Sequence, residues 1–201
     1  MKVLAILLSW LGVTSAFLLS QAPGRGLTSH DHLSAAASST STTTPSGEDL
    51  VQFRAALPEE LGAIRGVLAG MLMNPMSVDV QNFICAEEEG LLVGFGQVRA
   101  IGGSEFELAS LHVNESHRRR GIGSSLVRQL VDEFVETHGP GQLEKLYLLT
   151  LKDAAIFYEK LGFNVVSPEE APAVLKAERA VGSFIQSFFG NSLVCMRATS
   201  G

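Results

Sequence analysis

Several residue types that would point to common classes of protein are scarce in this chain of 201 residues. It has two cysteines, Cys85 and Cys195, and their wide separation excludes a disulfide framework. Each lies in an apolar run, so we expect small buried side chains, with a transient acyl-cysteine as the alternative. Cations are also in deficit, since 15 Lys and Arg face 21 Asp and Glu, and the net charge of −6 argues against general nucleic-acid binding.

A long uninterrupted apolar run is missing too, and with it the pattern of a membrane-spanning helix. The N-terminus has instead a basic Lys2, an apolar stretch over residues 3–13 that Ser9 interrupts, and small residues from Thr14 to Ala16. This order is typical of a secretory signal peptide. We therefore expect residues 1–16 to be a signal peptide, and the processed protein to have no stable membrane anchor.

The next segment, residues 17–48, has the composition of an organelle transit peptide or disordered linker. From Phe17 to Ser46 it is rich in Ser, Thr and Ala, contains Arg25 and has a single acid, Asp31. The tandem order resembles the bipartite plastid presequences of algae with secondary plastids, which implies work in the plastid stroma. Secretion and mitochondrial import are the alternatives. The scarcity of cysteine favours a reducing compartment over the cell exterior.

The remaining residues, 49–201, are expected to form one domain, because 46% of the chain is hydrophobic and no internal repeat divides it. Helical spacing of apolar residues predicts helices that open at Pro58, at Ile122 and at residue 154. Residues 167–191 are longer than a hairpin loop and predict an amphipathic helix that packs on the core, covers a pocket or forms a dimer contact. Its predicted apolar face is Val174, Ala177, Val181, Phe184, Ile185 and Phe188. Alternating or continuous apolar runs predict strands at Val51–Arg54, Phe83–Glu87, Leu91–Val98, Phe106–Val113, Leu146–Leu151, Phe163–Val166 and Leu193–Arg197.

The most informative stretch is Arg118-Arg119-Arg120-Gly121-Ile122-Gly123, which joins a predicted strand to a predicted helix. Glycine lets the backbone turn tightly and lets an anion approach the main chain. The first N–H groups of the helix have no intrahelical partner and lie at its positive end, so a di- or triphosphate is their natural ligand. The arginines add positive charge. A mononucleotide loop is excluded because no Lys-Ser or Lys-Thr follows the second glycine, and a dinucleotide fingerprint lacks its third glycine.

The run from Val113 to Gly123 resembles motif A of the GCN5-related N-acetyltransferases (GNAT), with Glu115 in the place of the usual proline. A second match follows at residues 154–163, where Ala-Ala-Ile-Phe-Tyr-Glu-Lys-Leu-Gly-Phe resembles the family's A-x-x-F-Y-x-x-x-G-F pattern. Two motifs in the right order carry the resemblance, which covers about residues 50–198.

The resemblance implies an α/β fold with a mixed central sheet of about seven strands flanked by helices, in a single domain. It implies acetyl-CoA as co-substrate and no metal. The backbone of residues 118–124, the phosphate loop, would hold the pyrophosphate. The end of the preceding strand would pair with the pantetheine arm. The cofactor-binding residues so implied are Leu111, His112, Val113, Arg118, Arg119, Arg120, Gly121, Ile122, Gly123 and Ser124.

Catalysis would need an acid for the departing thiolate and a base for the attacking amine. The resemblance implies Tyr158 as the general acid, since an unperturbed tyrosine is protonated at neutral pH. Glu107 is the first candidate for the base, because alternation along its strand puts it on one face with Ala109. Glu105 and His112 follow it, and a water chain is a further alternative.

The function implied is acetyl-CoA-dependent N-acetylation of a primary amine by direct attack in a ternary complex. A protein N-terminus or a lysine is the favoured acceptor, and a small-molecule amine or amino acid is the alternative. Acids at residues 87–89 and at Glu105 and Glu107 would suit a cationic acceptor. A non-catalytic acyl-CoA sensor is the hypothesis of another class. The protein is expected to be a monomer or homodimer.

Overall fold

A computed structural model describes residues 51–71, 78–186 and 192–200, with side chains 180–186 left out. The predicted signal and transit segments lie outside these ranges. Within them the chain forms four helices: α1 (Leu61–Gly70), α2 (Ile122–His138), α3 (Ala155–Glu159) and α4 (Ala173–Gln186). It also forms seven strands: β1 (Gln52–Ala55), β2 (Phe83–Glu88), β3 (Leu91–Gly102), β4 (Glu105–Val113), β5 (Leu146–Leu151), β6 (Phe163–Val165) and β7 (Leu193–Ala198).

All seven described strands join one sheet in the order β1-β2-β3-β4-β5-β7-β6. Every neighbouring pair is antiparallel except β4 and β5, which run parallel on either side of the α2 crossover. The predicted fold class, a mixed sheet of about seven strands flanked by helices, is therefore confirmed. None of the described helices is long and apolar enough to cross a membrane.

One face of the sheet is covered by α2 and α3. The apolar stripe of α2 is buried there, as its 3.6-residue spacing predicts. Two glycines of β3 permit this close approach: a Cβ on Gly96 would lie 2.9 Å from Cδ1 of Leu130, and one on Gly94 would lie 3.2 Å from Cδ1 of Leu126. The sheet and α2 are thus fitted together at the strand that neighbours β4.

The opposite face is shared by α1 and α4. Helix α1 packs Ile64 and Leu68 against the β2–β3 end of the sheet, and α4 packs Leu175 in a cluster with Tyr147 of β5 and Cys195 of β7. Between these two clusters, β3 and β4 present buried polar side chains. Both cysteines are free and buried, as expected.

The described positions of the apolar face predicted for α4 do not pack on the core, which was one of the three roles considered for it. Val174 is 43% exposed and Ala177 is exposed, whereas their neighbour Leu175 is fully buried. The helix meets the sheet through Leu175, Glu178 and Arg179, because a partly buried ion pair and a hydrogen bond fix its rotation. The other members of the predicted stripe lie outside the described side chains.

Strand β4 leaves its neighbour β5 halfway along its length. The two strands, both fully described, pair at Phe106 with Leu146 and at Glu107 with Tyr147, and their ladder ends there. Ser110 has a positive φ of 58°, and the register with β3 shifts at the same place, which marks a bulge. Residues 108–113 therefore turn main-chain groups towards an opening beside β5.

Candidate active site

The phosphate loop presents the uncapped N-terminus of α2. Gly121 precedes the helix with φ 83°, a conformation that suits glycine, and no described side chain caps it. The first main-chain bond into the helix runs from the N–H of Ser125 to the Gly121 carbonyl, at 3.0 Å. Arg119 also has a positive φ, 63°. Left-handed residues in such a turn aim successive N–H groups into an anion-binding concavity.

The three arginines of the loop have different surroundings. The Nε of Arg118 donates to the carbonyl of Val113 at 3.0 Å, so its side chain holds the loop against the end of β4. Arg120 donates to Glu88 at 2.9 Å, and His117 Nε2 lies 3.1 Å from the same carboxylate. Arg120 first, and His117 less, lower the pKa of Glu88. Arg119 is exposed. The side chains of Arg118 and Arg120 therefore bind within the chain and shape the loop, and no described side chain caps the main-chain N–H groups at the start of α2.

The acids that were expected to attract a cationic acceptor are largely committed within the chain. Glu87 accepts a hydrogen bond from Arg54 Nε at 2.8 Å, and Glu88 holds Arg120. Glu107 is buried against Arg99. These carboxylates do not form an open acidic surface. No group of three or more His, Cys, Asp and Glu side chains in the described ranges is arranged to hold a metal ion.

Residues Leu111 to Val113 line the opening between β4 and β5. The ring of His112 lies 5.2 Å from that of Phe95, and its Nε2 lies 3.1 Å from Oδ1 of Asn114. Asn114 donates through its amide nitrogen to the Leu92 carbonyl, which assigns Nε2–H as the donor on His112. The other ring nitrogen is buried without a partner among the described residues. Nδ1 is thus the unprotonated ring nitrogen of His112, and it is shielded from solvent.

Helix α3 packs next to the phosphate loop and carries Tyr158. Phe157 links the two motifs, because its Cζ would lie 3.6 Å from a Cβ placed on Gly123 of the phosphate loop. The Tyr158 ring packs edge-on against Phe157 and Phe163, with centroids 4.8 Å and 6.2 Å away. Burial raises the pKa of Tyr158 to about 12, and a hydrogen bond with Thr150 opposes this in part. The phenol thus remains protonated and able to donate a proton.

Glu107 lies on β4 just before the bulge, with 4% of its surface exposed. Arg99 of β3 donates to it from Nε at 2.8 Å. Burial raises the pKa of Glu107 to about 7, although the charge of Arg99 opposes the rise. A carboxyl group with this pKa can accept a proton near neutral pH. Glu105, the other acid considered on this strand, is only partly buried.

Sequence reasoning missed two residues that shape the site, Gln97 and Arg99. Gln97 is buried and donates from Nε2 to the hydroxyl of Ser110 at 2.9 Å, which fixes the bulge of β4. Arg99 holds Glu107. Both lie on the same face of β3 by two-residue alternation, so the signal was present in the sequence. What the sequence did not show was which strand they would meet.

Comparisons with known proteins agree with this geometry. Residues 79–165 match the family model described as an acetyltransferase (GNAT) domain. The chain is similar in structure to N-acetylglutamate synthase from Neisseria gonorrhoeae complexed with coenzyme A and L-arginine, with 18% identity and a TM-score of 0.56 over 76% of this chain and 34% of that one. The chain therefore spans about a third of that enzyme's length.

Two other solved structures are matched over nearly their whole length. Rv2747 from Mycobacterium tuberculosis, in complex with CoA and NLQ, has 20% identity and a TM-score of 0.56 over 74% of this chain and 99% of that one. Escherichia coli ElaA has 14% identity and a TM-score of 0.53 over 75% of this chain and 100% of that one. No curated protein matches the sequence. At these identities the likeness to solved structures shows the fold.

Proposed function

We propose that this chain, whose residues 79–165 match the acetyltransferase (GNAT) domain model, uses acetyl-CoA to acetylate a primary amine by direct attack within a ternary complex. The observation that supports this most is one juxtaposition. The uncapped amides of α2 follow the end of β4 that has left β5, Phe157 packs beside Gly123 of that loop, and the neighbouring Tyr158 hydrogen-bonds with Thr150 of β5. Together they supply a phosphate site, a pantetheine site and an acid.

In the proposed reaction the coenzyme's pyrophosphate binds the N–H groups from Arg119 to Ser124, and its pantetheine amides pair with Leu111 to Val113. Glu107 accepts a proton from the amine, directly or through a water molecule. The amine nitrogen then attacks the thioester carbonyl, and the C–S bond breaks as the tetrahedral intermediate collapses. Tyr158 donates its proton to the departing sulfur, so free coenzyme A leaves as the thiol. The newly acylated nitrogen gives its remaining excess proton to the Tyr158 phenolate, directly or through a water molecule, which restores the acid.

For the acceptor we propose an α-amine, and a protein N-terminus in particular. An α-amino group has a pKa of about 7.7–8 and a lysine side chain about 10.4. A base such as Glu107, whose pKa is raised to about 7, suits the first better than the second. A lysine would need a stronger base or prior loss of its proton, although it remains within the proposed class of protein amines.

A free amino acid is the second candidate acceptor. It is favoured by the gonococcal synthase, a structural relative that is complexed in another crystal with coenzyme A and N-acetyl-glutamate, with a TM-score of 0.55. That product carries its acetyl group on an α-amine, which agrees with the same base. The two candidates differ in size and not in chemistry.

The test of this proposal is a release assay with acetyl-CoA and three acceptor pools: peptides with free N-termini and lysines, the twenty amino acids, and polyamines. We expect thiol release with peptides, and mass spectrometry should place the acetyl group on the N-terminal amine. Release with amino acids alone would select the second candidate. Binding of acetyl-CoA without release from any pool would contradict transfer and favour a sensor.

We also propose that the protein works in a plastid stroma. The composition of residues 1–46, an apolar signal followed by a Ser- and Thr-rich segment with one acid, supports this. A fusion of residues 1–48 to a fluorescent protein, expressed in an alga with a secondary plastid, should collect in the stroma. Fluorescence in the medium or in mitochondria would contradict the proposal.

Sedimentation of the processed protein would test the predicted monomer or homodimer.

A further inference from the structure

A single guanidinium group joins the candidate base to helix α4. Arg99 is the register partner of Glu107 across the β3–β4 ladder and donates to it from Nε at 2.8 Å. A terminal nitrogen of the same Arg99 donates to both carboxylate oxygens of Glu178, at 2.9 and 3.1 Å. Side-chain exposure rises along this chain of contacts, from 5% at Glu107 to 16% at Arg99 and 35% at Glu178.

Helix α4 is also held to the sheet by contacts that do not involve Glu178. Leu175 is fully buried, in a cluster with Tyr147 and Cys195. Arg179 donates from Nε to the Leu193 carbonyl at 3.0 Å, where β7 begins. Docking of the helix therefore does not depend on Glu178 alone, because Leu175 makes a buried apolar contact before it and Arg179 makes a hydrogen bond to the backbone after it.

Glu107 shares its ion-pair partner, Arg99, with a second carboxylate, and Glu178 opposes the effect of Arg99 on Glu107. The other ionisable groups on this face are Tyr147, which lies opposite Glu107 on β5, Arg197 and Cys195 of β7, and Arg179 of α4, which donates to the Leu193 carbonyl. Burial, and then the nearby Glu107, raise the pKa of Cys195 to about 11, so its thiol adds no charge near neutrality.

We propose that Glu178 keeps the charge of Arg99 divided between two carboxylates, and that this division leaves Glu107 able to accept a proton from the acceptor amine. Arg99 and Glu178 are then positioning residues that act through Glu107. Docking of α4 controls whether Glu107 can accept the proton. This proposal rests on the proposed role of Glu107. Were Glu178 uncharged, Arg99 would hold Glu107 as a fully paired carboxylate of weak basicity.

The direct test is a titration of the full chain labelled with ¹³C at the glutamate carboxyl groups, followed by NMR from pH 4 to 9. Glu107→Gln identifies the Glu107 resonance by its loss. We expect Glu178→Gln to move the midpoint of that resonance to lower pH, by roughly half a pH unit or more, since a like charge is removed. Arg99→Met should move it to higher pH, and Arg99→Lys should move it less. Glu133→Gln, the same change on an exposed site of α2, should leave it in place.

The acid limb of the pH–rate profile for thiol release should move in the same directions as the NMR midpoint. A midpoint unchanged or raised by Glu178→Gln overturns the division of charge. This variant decides the question even if Arg99→Met does not fold, because Leu175 and Arg179 still hold the helix to the sheet. A different result would contradict the proposed role of Glu107 as the base. If Glu107→Gln retains full thiol release, Glu107 is not the base, whatever the midpoints show, and the role given to α4 falls with it.

Discussion

At the residue scale, the hydroxyl of Tyr158 is the group whose removal isolates proton donation. Tyr158→Phe keeps the ring that packs against Phe157 and Phe163. We expect thiol release to slow by about 10²-fold or more, because a positioned acid contributes about 10²–10⁴-fold. The Kd for acetyl-CoA, measured by calorimetry, should change little.

The matched control for this change is Tyr147→Phe, which removes the hydroxyl of the other tyrosine, on β5. Its thiol release should stay within a few-fold of wild type. Equal rates for Tyr158→Phe and wild type would remove Tyr158 from the mechanism. Since the pKa of Tyr158 is raised to about 12, a loss of activity with rising pH well below that value is not caused by ionisation of Tyr158.

Glu107 gives a second prediction at this scale, in the pH dependence of kcat/KM. A base works when deprotonated, so the rate should rise through a pKa of about 7 and level off above it. Glu107→Gln should lower the rate and abolish this acid limb. Glu105→Gln, the same change two residues earlier on β4, should preserve the limb. An intact limb in Glu107→Gln would assign it to another group.

These two side chains were also the ones that sequence reasoning could reach. Tyr158 lies in a recognisable motif, and Glu107 follows from alternation on the strand that feeds the phosphate loop. The sequence did not predict the partners that set their ionisation, because Glu178 lies 79 residues from Arg99. No local pattern encodes a contact over that separation.

At the scale of elements, the end of β4 is held where it is by a glycine of its neighbour. A Cβ on Gly94 would lie 2.9 Å from the His112 carbonyl oxygen, so Gly94→Ala must displace the strand that is proposed to receive pantetheine. We expect a loss of about 1–3 kcal/mol in the free energy of unfolding, the usual cost of overpacking. The Kd for acetyl-CoA should rise several-fold in the folded variant.

Gly66→Ala provides the control for this prediction, since the residue lies in α1 and a Cβ there meets nothing within 4 Å. Alanine favours the helix, so this variant should gain about 0.5–1 kcal/mol and bind acetyl-CoA as wild type does. Urea unfolding and calorimetry check both variants. Undiminished binding by Gly94→Ala would show that the position of the β4 end is not needed to hold the coenzyme.

The elements themselves were predicted well, and their orientation less well. The predicted helix in residues 167–191 is present, but its described apolar positions are exposed, which contradicts core packing through that face. An amphipathic pattern gives the helical period, whereas the rotation of a short helix depends on the ion pair and hydrogen bond that it finds on docking. Glu178 and Arg179 supplied both here.

At the scale of the whole molecule, the burial of Glu107 makes stability depend on pH. Its pKa rises from the ordinary 4.5 to about 7 on folding, so the folded state holds a proton that the unfolded chain has lost over this interval. The contribution is fully present below pH 4.5 and is lost as the pH rises through 7. Wild type should lose up to about 3 kcal/mol from this group between those limits.

Urea unfolding of wild type and Glu107→Gln at pH 5 and pH 8 measures this effect. The difference in the free energy of unfolding between the two proteins should move in favour of the glutamine variant as the pH rises, because glutamine loses no proton. Histidines and surface acids affect both proteins alike and cancel in the comparison. A difference independent of pH would show that Glu107 is ionised throughout and is not raised by burial.

The sequence by itself determined the strands, the long helix after the loop and the glycine-bent phosphate site. These features depend on periodicity and turn chemistry within a few residues, so the local sequence is enough to specify them. The tertiary structure decided where β4 leaves β5, how the three loop arginines are used, and how one arginine is divided between a buried and a solvent-facing carboxylate. These depend on strand order and register, which bring distant side chains within hydrogen-bonding distance only after the sheet has formed.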